Sequence, residues 1–70
     1  MIIDRNMEQV KDVIKYHIKL HGLNNVIEYA LVDDIQRKTR HLNYARAVIE
    51  DIVHKMLKDD ALKQLLEEMN

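Results

Sequence analysis

The sequence predicts an all-α domain, a small bundle of three to four helices completed by dimerisation. Three observations carry this. Apolar residues recur at helical spacing in four segments. The chain has no proline and one glycine, Gly22, which leaves little chain for loops. Apart from three tyrosines, the large apolar side chains are Ile, Leu, Val and Met, without Trp or Phe, and these interdigitate well between helices. Seventy residues make one domain over 1–70. A chain this short buries only about 60% of its unfolded surface. Without cysteine it has neither a disulfide nor a thiolate metal site as a staple. A homodimer with a shared apolar core is the expected remedy.

The first helix is expected from about Met7 to His21, with Asp4 or Asn6 as N-cap. At 100° per residue, Met7, Val10, Val13, Ile14, Ile18 and Leu20 fall on one broad arc, and Glu8, Lys11, Asp12, Lys15 and Lys19 lie opposite. Gly22 follows as the residue able to take φ > 0 after a helix, and Leu23 can fold back on the last turn. The second helix is expected after Asn24-Asn25, where Asn25 and Glu28 have capping-box spacing. Val26 to Val32 is apolar almost all round, which predicts burial on more than one side. A strand here would need a partner across a dimer, so helix is the reading adopted. The helix either runs to about Arg40 or breaks near Asp33. The third is expected from Asn43 as N-cap to about Lys58, with Ala45, Val48, Ile49, Ile52, Val53, Met56 and Leu57 on one face. The fourth covers Ala61 to Met69, with Leu62, Leu65, Leu66 and Met69 inward. Continuing the third helix into the fourth would swing the apolar face by roughly 140–150°. Either the chain breaks at Lys58–Asp60 with an Asp as new N-cap, or one long helix serves two partners.

Charged residues are 33% and hydrophobic ones 47%, a mix that suits a folded domain. No run of about 18 apolar residues is present, so no spanning helix and no membrane partner are expected. Met1 to Arg5 lacks a basic stretch followed by an apolar one, and a cytoplasmic location is expected. A pI near 6.4 argues against a general polyanion binder.

The charge is not spread evenly. Ile35 to Ile49 holds Arg37, Lys38, Arg40 and Arg46 with His41 and no acid, while the rest of the chain has 7 basic residues against 12 acidic ones. The residues expected to meet a partner are Arg37, Lys38, Arg40, His41, Asn43, Tyr44 and Arg46. The favoured function is a non-catalytic regulatory or adaptor protein whose cationic window meets an acidic surface on a protein, with Tyr44 as anchor. The alternative is a small DNA-binding regulator with a divergent helix-turn-helix around 34–57, in which Tyr44, Arg46 and Ala47 approach base edges and Arg37, Lys38 and Arg40 the phosphates. Against it, the turn has no glycine and is long, and Glu50 and Asp51 would repel phosphate one turn into the recognition helix.

Other constellations read as ordinary structure. His17 and His21 share a helix face at the spacing of a metal pair, yet nothing nearby completes four ligands, and half-buried, hydrogen-bonded histidines are expected. Glu50 and His54 read as a solvated pair rather than an acid and base. Asp34 and Lys38 read as an exposed i,i+4 pair in preference to a polar pair fixing register. No Gly-rich phosphate loop or nucleophile elbow is present, so neither enzyme activity, a metal nor a cofactor is expected.

Overall fold

A computed structural model describes residues 5–69, all of whose regular structure is helical. The four helices are α1 (Arg5–His21), α2 (Glu28–Lys38), α3 (Arg46–Met56) and α4 (Asp59–Glu68), with short 3₁₀ turns at Leu23–Asn25 and Arg40–Leu42. Asp4, one of the two expected caps of α1, lies outside the described residues. Asn6, the other, lies inside the first turn of the helix rather than ahead of it.

All four helices feed one core. Val10, Val13, Ile14 and Ile18 come from α1, Leu31, Val32 and Ile35 from α2, Ile49 and Val53 from α3, and Leu65 from α4. Met7, Val26, Tyr44, Ile52, Met56, Leu57, Leu62, Leu66 and Met69 pack around them, partly buried. The apolar periods of α1, α3 and α4 therefore point where the spacing put them, with three exceptions at the flanks. Leu20 is 59% exposed and Val48 45%, and Ala45 is exposed as well. A four-helix chain of this size covers one stripe of each helix, and residues at the margin of a broad arc stay in water. The same limit corrects the reading of Val26–Val32. Leu31 and Val32 are buried, but Ile27 and Tyr29 are 66% and 72% exposed, so α2 is covered on one side only.

Turn chemistry sets the boundaries. Gly22 ends α1 at φ 85°, its N–H bonding the carbonyl of Ile18 at 2.8 Å. Asn25 does not form a capping box with Glu28. Its Nδ2 turns back and donates to the carbonyl of His21 at 3.0 Å, so it closes α1 instead of opening α2. Ile27 occupies the N-cap of α2 in extended backbone, without a side-chain cap. α2 then runs unbroken through Asp33 and Asp34 to Lys38. Thr39, 2% exposed, finishes it by donating from both its backbone N (2.8 Å) and its Oγ1 (2.6 Å) to the carbonyl of Ile35.

Asn43 is likewise not the N-cap of α3. It takes the left-handed conformation at φ 58° and closes the 3₁₀ turn through its N–H to the carbonyl of Arg40 at 3.1 Å. Ala45 stands at the N-cap. Asparagine reaches this backbone region at small cost and a β-branched residue does not. Asn43→Val is therefore expected to lower stability by about 1–2 kcal/mol, and Asn43→Gly to leave it unchanged or slightly raised, in urea unfolding.

The chain does break between α3 and α4. Lys58, not an aspartate, is the N-cap, and Asp59 and Asp60 sit in the first turn, where the helix dipole favours carboxylates. The break resolves the displaced apolar face, since Ile49, Val53 and Leu65 reach the same core. α4 is tied to α1 by Glu68, which lies 3.3 Å from Lys15 and 3.7 Å from Lys11. The Lys15 hydrogen bond holds the Glu68 carboxyl below its ordinary range.

Candidate binding groove at the turn between α2 and α3

The site is built on Asp34. Its neighbours along α2, Ile35 and Leu31, are fully buried, and this draws Asp34 itself down to 7% exposure. A carboxylate so placed needs partners. It has three. His17 of α1 meets Oδ2 through Nε2 at 2.8 Å. Arg37 donates from Nη2 to Oδ1 at 2.7 Å, and Lys38 Nζ lies 3.1 Å from Oδ2. Because an ionised carboxylate only accepts, Nε2 of His17 carries the proton. Burial alone would raise the carboxyl's pKa, but the hydrogen bonds from His17, Arg37 and Lys38 outweigh it and hold the group well below the usual carboxylate range. The Asp34–Lys38 pair is thus half buried rather than exposed, and it belongs to a cluster that joins α1 to α2. Lys38 also lies over the ring of Tyr16, 5.0 Å from its centroid.

Arg46 is tied in a second cluster. Its Nη1 donates to Asp33 Oδ1 at 2.6 Å and to Gln36 Oε1 at 3.1 Å, and its Nε is 3.2 Å from Glu50 Oε1. Its guanidinium lies over Tyr29, 5.3 Å from the ring centroid. The Asp33 hydrogen bond leads the effects that raise its pKa. The expected Glu50–His54 contact gives way to Glu50–Arg46.

Of the seven residues singled out in the sequence, four line one groove. Arg37, Arg40, Asn43 and Tyr44 surround a space of about 620 Å³ together with Asp33, Gln36 and Thr39. Lys38 faces Tyr16 and Asp34 instead, and His41 Nε2 meets Gln9 Oε1 at 2.9 Å, bracing the turn against α1. Arg46 lines a neighbouring groove of about 520 Å³ with Glu28, Tyr29, Val32, Ala47, Glu50, Asp51 and His54. The cationic window is therefore largely neutralised within the chain. Arg37, Lys38 and Arg46 each hold a carboxylate, and among the described residues only Arg40 of the four cations has no such partner.

The window missed Asp33, Asp34 and Glu50, which set its electrostatics. Asp34 was visible as an i−4 neighbour of Lys38, but its bond to His17 spans 17 positions and has no local signature. His17 is part-buried and bonded, as its place on α1 implied, whereas His21 is exposed, with the two rings 5.8 Å apart. No group of three or more metal-ligating side chains is gathered among the described residues.

This geometry describes a small helical bundle with a polar groove at a helix–helix turn, lined by hydrogen-bond donors and by Arg40, a guanidinium without an ion-pair partner among the described residues. No helix among the described residues is long and apolar enough to cross a membrane. No family model, curated protein or solved structure matches the chain.

Proposed function

We propose that this chain is a non-catalytic regulatory or adaptor module, working in the cytoplasm as a homodimer and engaging an acidic surface of another protein through the turn between α2 and α3. The observation that carries the reading is the convergence of Arg37, Arg40, Asn43 and Tyr44 on one groove, with Arg40 exposed and free of any carboxylate among the described residues. A guanidinium in that position is ready for a carboxylate from outside, and the half-buried Tyr44 beside it gives an anchor with little rotamer freedom to lose. The non-catalytic part rests on the use of Asp34. The most buried carboxylate described is saturated by His17, Arg37 and Lys38, in a cluster that joins two helices. The homodimer is supported by the large apolar side chains left in water, among them Leu20 at 59%, Ile27 at 66% and Tyr29 at 72% exposure.

Arg40→Glu tests the partner. The expected result is loss of a protein captured from nuclease-treated native lysate, with the helical circular dichroism of the variant unchanged. Retention of the same protein by the variant would refute the reading.

A second reading, DNA binding, draws on the order α2–turn–α3, in which the turn brings Arg37 and Arg40 to the surface ahead of α3. It is the weaker one. Arg46, on the first turn of the would-be recognition helix, is folded back on Asp33, and Glu50 and Asp51 follow it on the exposed face. It requires duplex binding that falls steeply between 50 and 200 mM salt and drops with Arg40→Glu.

A further inference from the structure

The two grooves of the α2–α3 hairpin differ in charge and lie end to end. The first is lined by Glu28 from the start of α2 and by Glu50 and Asp51 from α3, with Arg46 as its only arginine or lysine. The second has Arg37 and Arg40 against the single carboxylate Asp33. They adjoin at Arg46, which lines the first groove and bonds Asp33 and Gln36 of the second at 2.6 and 3.1 Å. Glu28 shares a groove with His54 while Arg46 reaches Asp33, so α2 and α3 run antiparallel. The charge of the hairpin therefore changes sign along its length, acidic at the open end and basic at the turn. Each half keeps one charged group without an intramolecular ion-pair partner among the described residues, Glu28 in the acidic half and Arg40 in the basic half. Tyr29, 72% exposed, lines the acidic groove with the apolar Val32 and Ala47 and meets Arg46, where the grooves adjoin, 5.3 Å from its ring centroid.

A face with this layout is complementary to itself. A two-fold axis lying in the interface and crossing the hairpin near Asp33 and Arg46 sets the acidic end of each copy on the basic end of the other. We propose that the α2–α3 face is a two-fold interface with a second copy of this chain, in which Arg40 of each copy docks on the acidic groove of the other and Tyr29 supplies apolar contact between the charged ends. The inference rests on the homodimer reading above and names its surface. It also makes self-association and the docking of an acidic protein compete for Arg40.

The test uses the full chain in sedimentation equilibrium over a concentration series, with circular dichroism melts to verify folding. Glu28→Lys reverses the one unpaired charge of the acidic end, and Arg40→Glu reverses that of the basic end. Neither side chain has an ion pair with a described residue to lose. Each variant alone is expected to dimerise at least about tenfold more weakly than the wild type, because every attractive contact occurs twice and becomes repulsive twice. An equimolar mixture of the two is expected to regain a dimer within about threefold of the wild-type Kd, since basic ends then face acidic ones. Raising salt from 50 to 500 mM is expected to weaken the wild-type dimer. A wild-type dimer that keeps its affinity in both variants lies elsewhere, for instance at the exposed Leu20, Leu23 or Ile27, and overturns this face while the dimer stands. Two weakened variants whose mixture remains monomeric overturn the antiparallel pairing. A wild type that stays an 8.4 kDa monomer throughout overturns the dimer itself.

Discussion

Replacing Ile14 by alanine is expected to destabilise the chain by about 3–4 kcal/mol, while the same truncation at Leu20, further along α1, is expected to change stability by less than about 0.5 kcal/mol. Ile14 has no exposed surface and faces a core drawn from all four helices. Removing its side chain forfeits the transfer energy of three carbons and leaves a void that close-packed neighbours fill only in part. Leu20 is 59% exposed, so its methyl groups are mostly hydrated already. A domain of this length has a total stability of only roughly 4–10 kcal/mol. Ile14→Ala therefore removes a large share, and the variant should be partly unfolded at 37 °C. Urea midpoints of the two variants with unchanged m-values are the measurement. Equal effects at the two sites would mean that α1 turns a different side to the core.

The contrast between these two residues also marks how far the sequence could be read. Both lie on the apolar arc of the first helix, Ile14 near its middle and Leu20 at its margin. How much of that margin the core covers is a tertiary fact that local spacing does not fix. The four helical segments were legible for the opposite reason. Val10, Val13, Ile14 and Ile18, or Ile49, Ile52, Val53 and Met56, are local repeats, and a local repeat dictates a local structure. Helix starts were less legible because asparagine is ambiguous. It suits an N-cap, and it equally suits the close of a preceding turn. Asn25 and Asn43 both take the second role.

The site was legible in part. The count of cations from Ile35 to Ile49 found the turn and its groove. It began one residue after Asp33-Asp34, however, and so omitted Asp34, which α-helical geometry returns to Arg37 and Lys38, and Asp33, which the packing of α2 on α3 brings to Arg46. A window chosen for charge excludes its own counter-ions by construction, and three of the four cations prove to be ion-paired within the chain. Arg40 is the cation of the window without such a partner among the described residues, and the proposed recognition is built on it.

The second large effect is expected at Asp34. Asp34→Ala should cost about 1–3 kcal/mol near pH 6, because it leaves the part-buried Nε2–H of His17 without its acceptor and unties α1 from α2. Arg37 and Lys38 add less. Their side chains are 74% and 49% exposed and can turn to water when the carboxylate is gone. The dependence on pH separates this account from simple loss of packing. The folded carboxyl has its pKa held below the ordinary value of 3.8, despite burial, by His17, Arg37 and Lys38. A group whose pKa is lowered on folding adds stability above its unfolded pKa, and that stability is lost as pH falls toward the folded value. The gap between wild type and Asp34→Ala should therefore be fully present near neutrality and begin to close below about pH 4. The test is urea unfolding of both proteins at pH 6 and again near pH 3. A gap of constant size across that range would mean that Asp34 stabilises through its volume and not its charge. A gap that narrows makes the His17–Asp34 contact an acid-sensitive tie between the helix that bears His17 and the helix that leads into the groove.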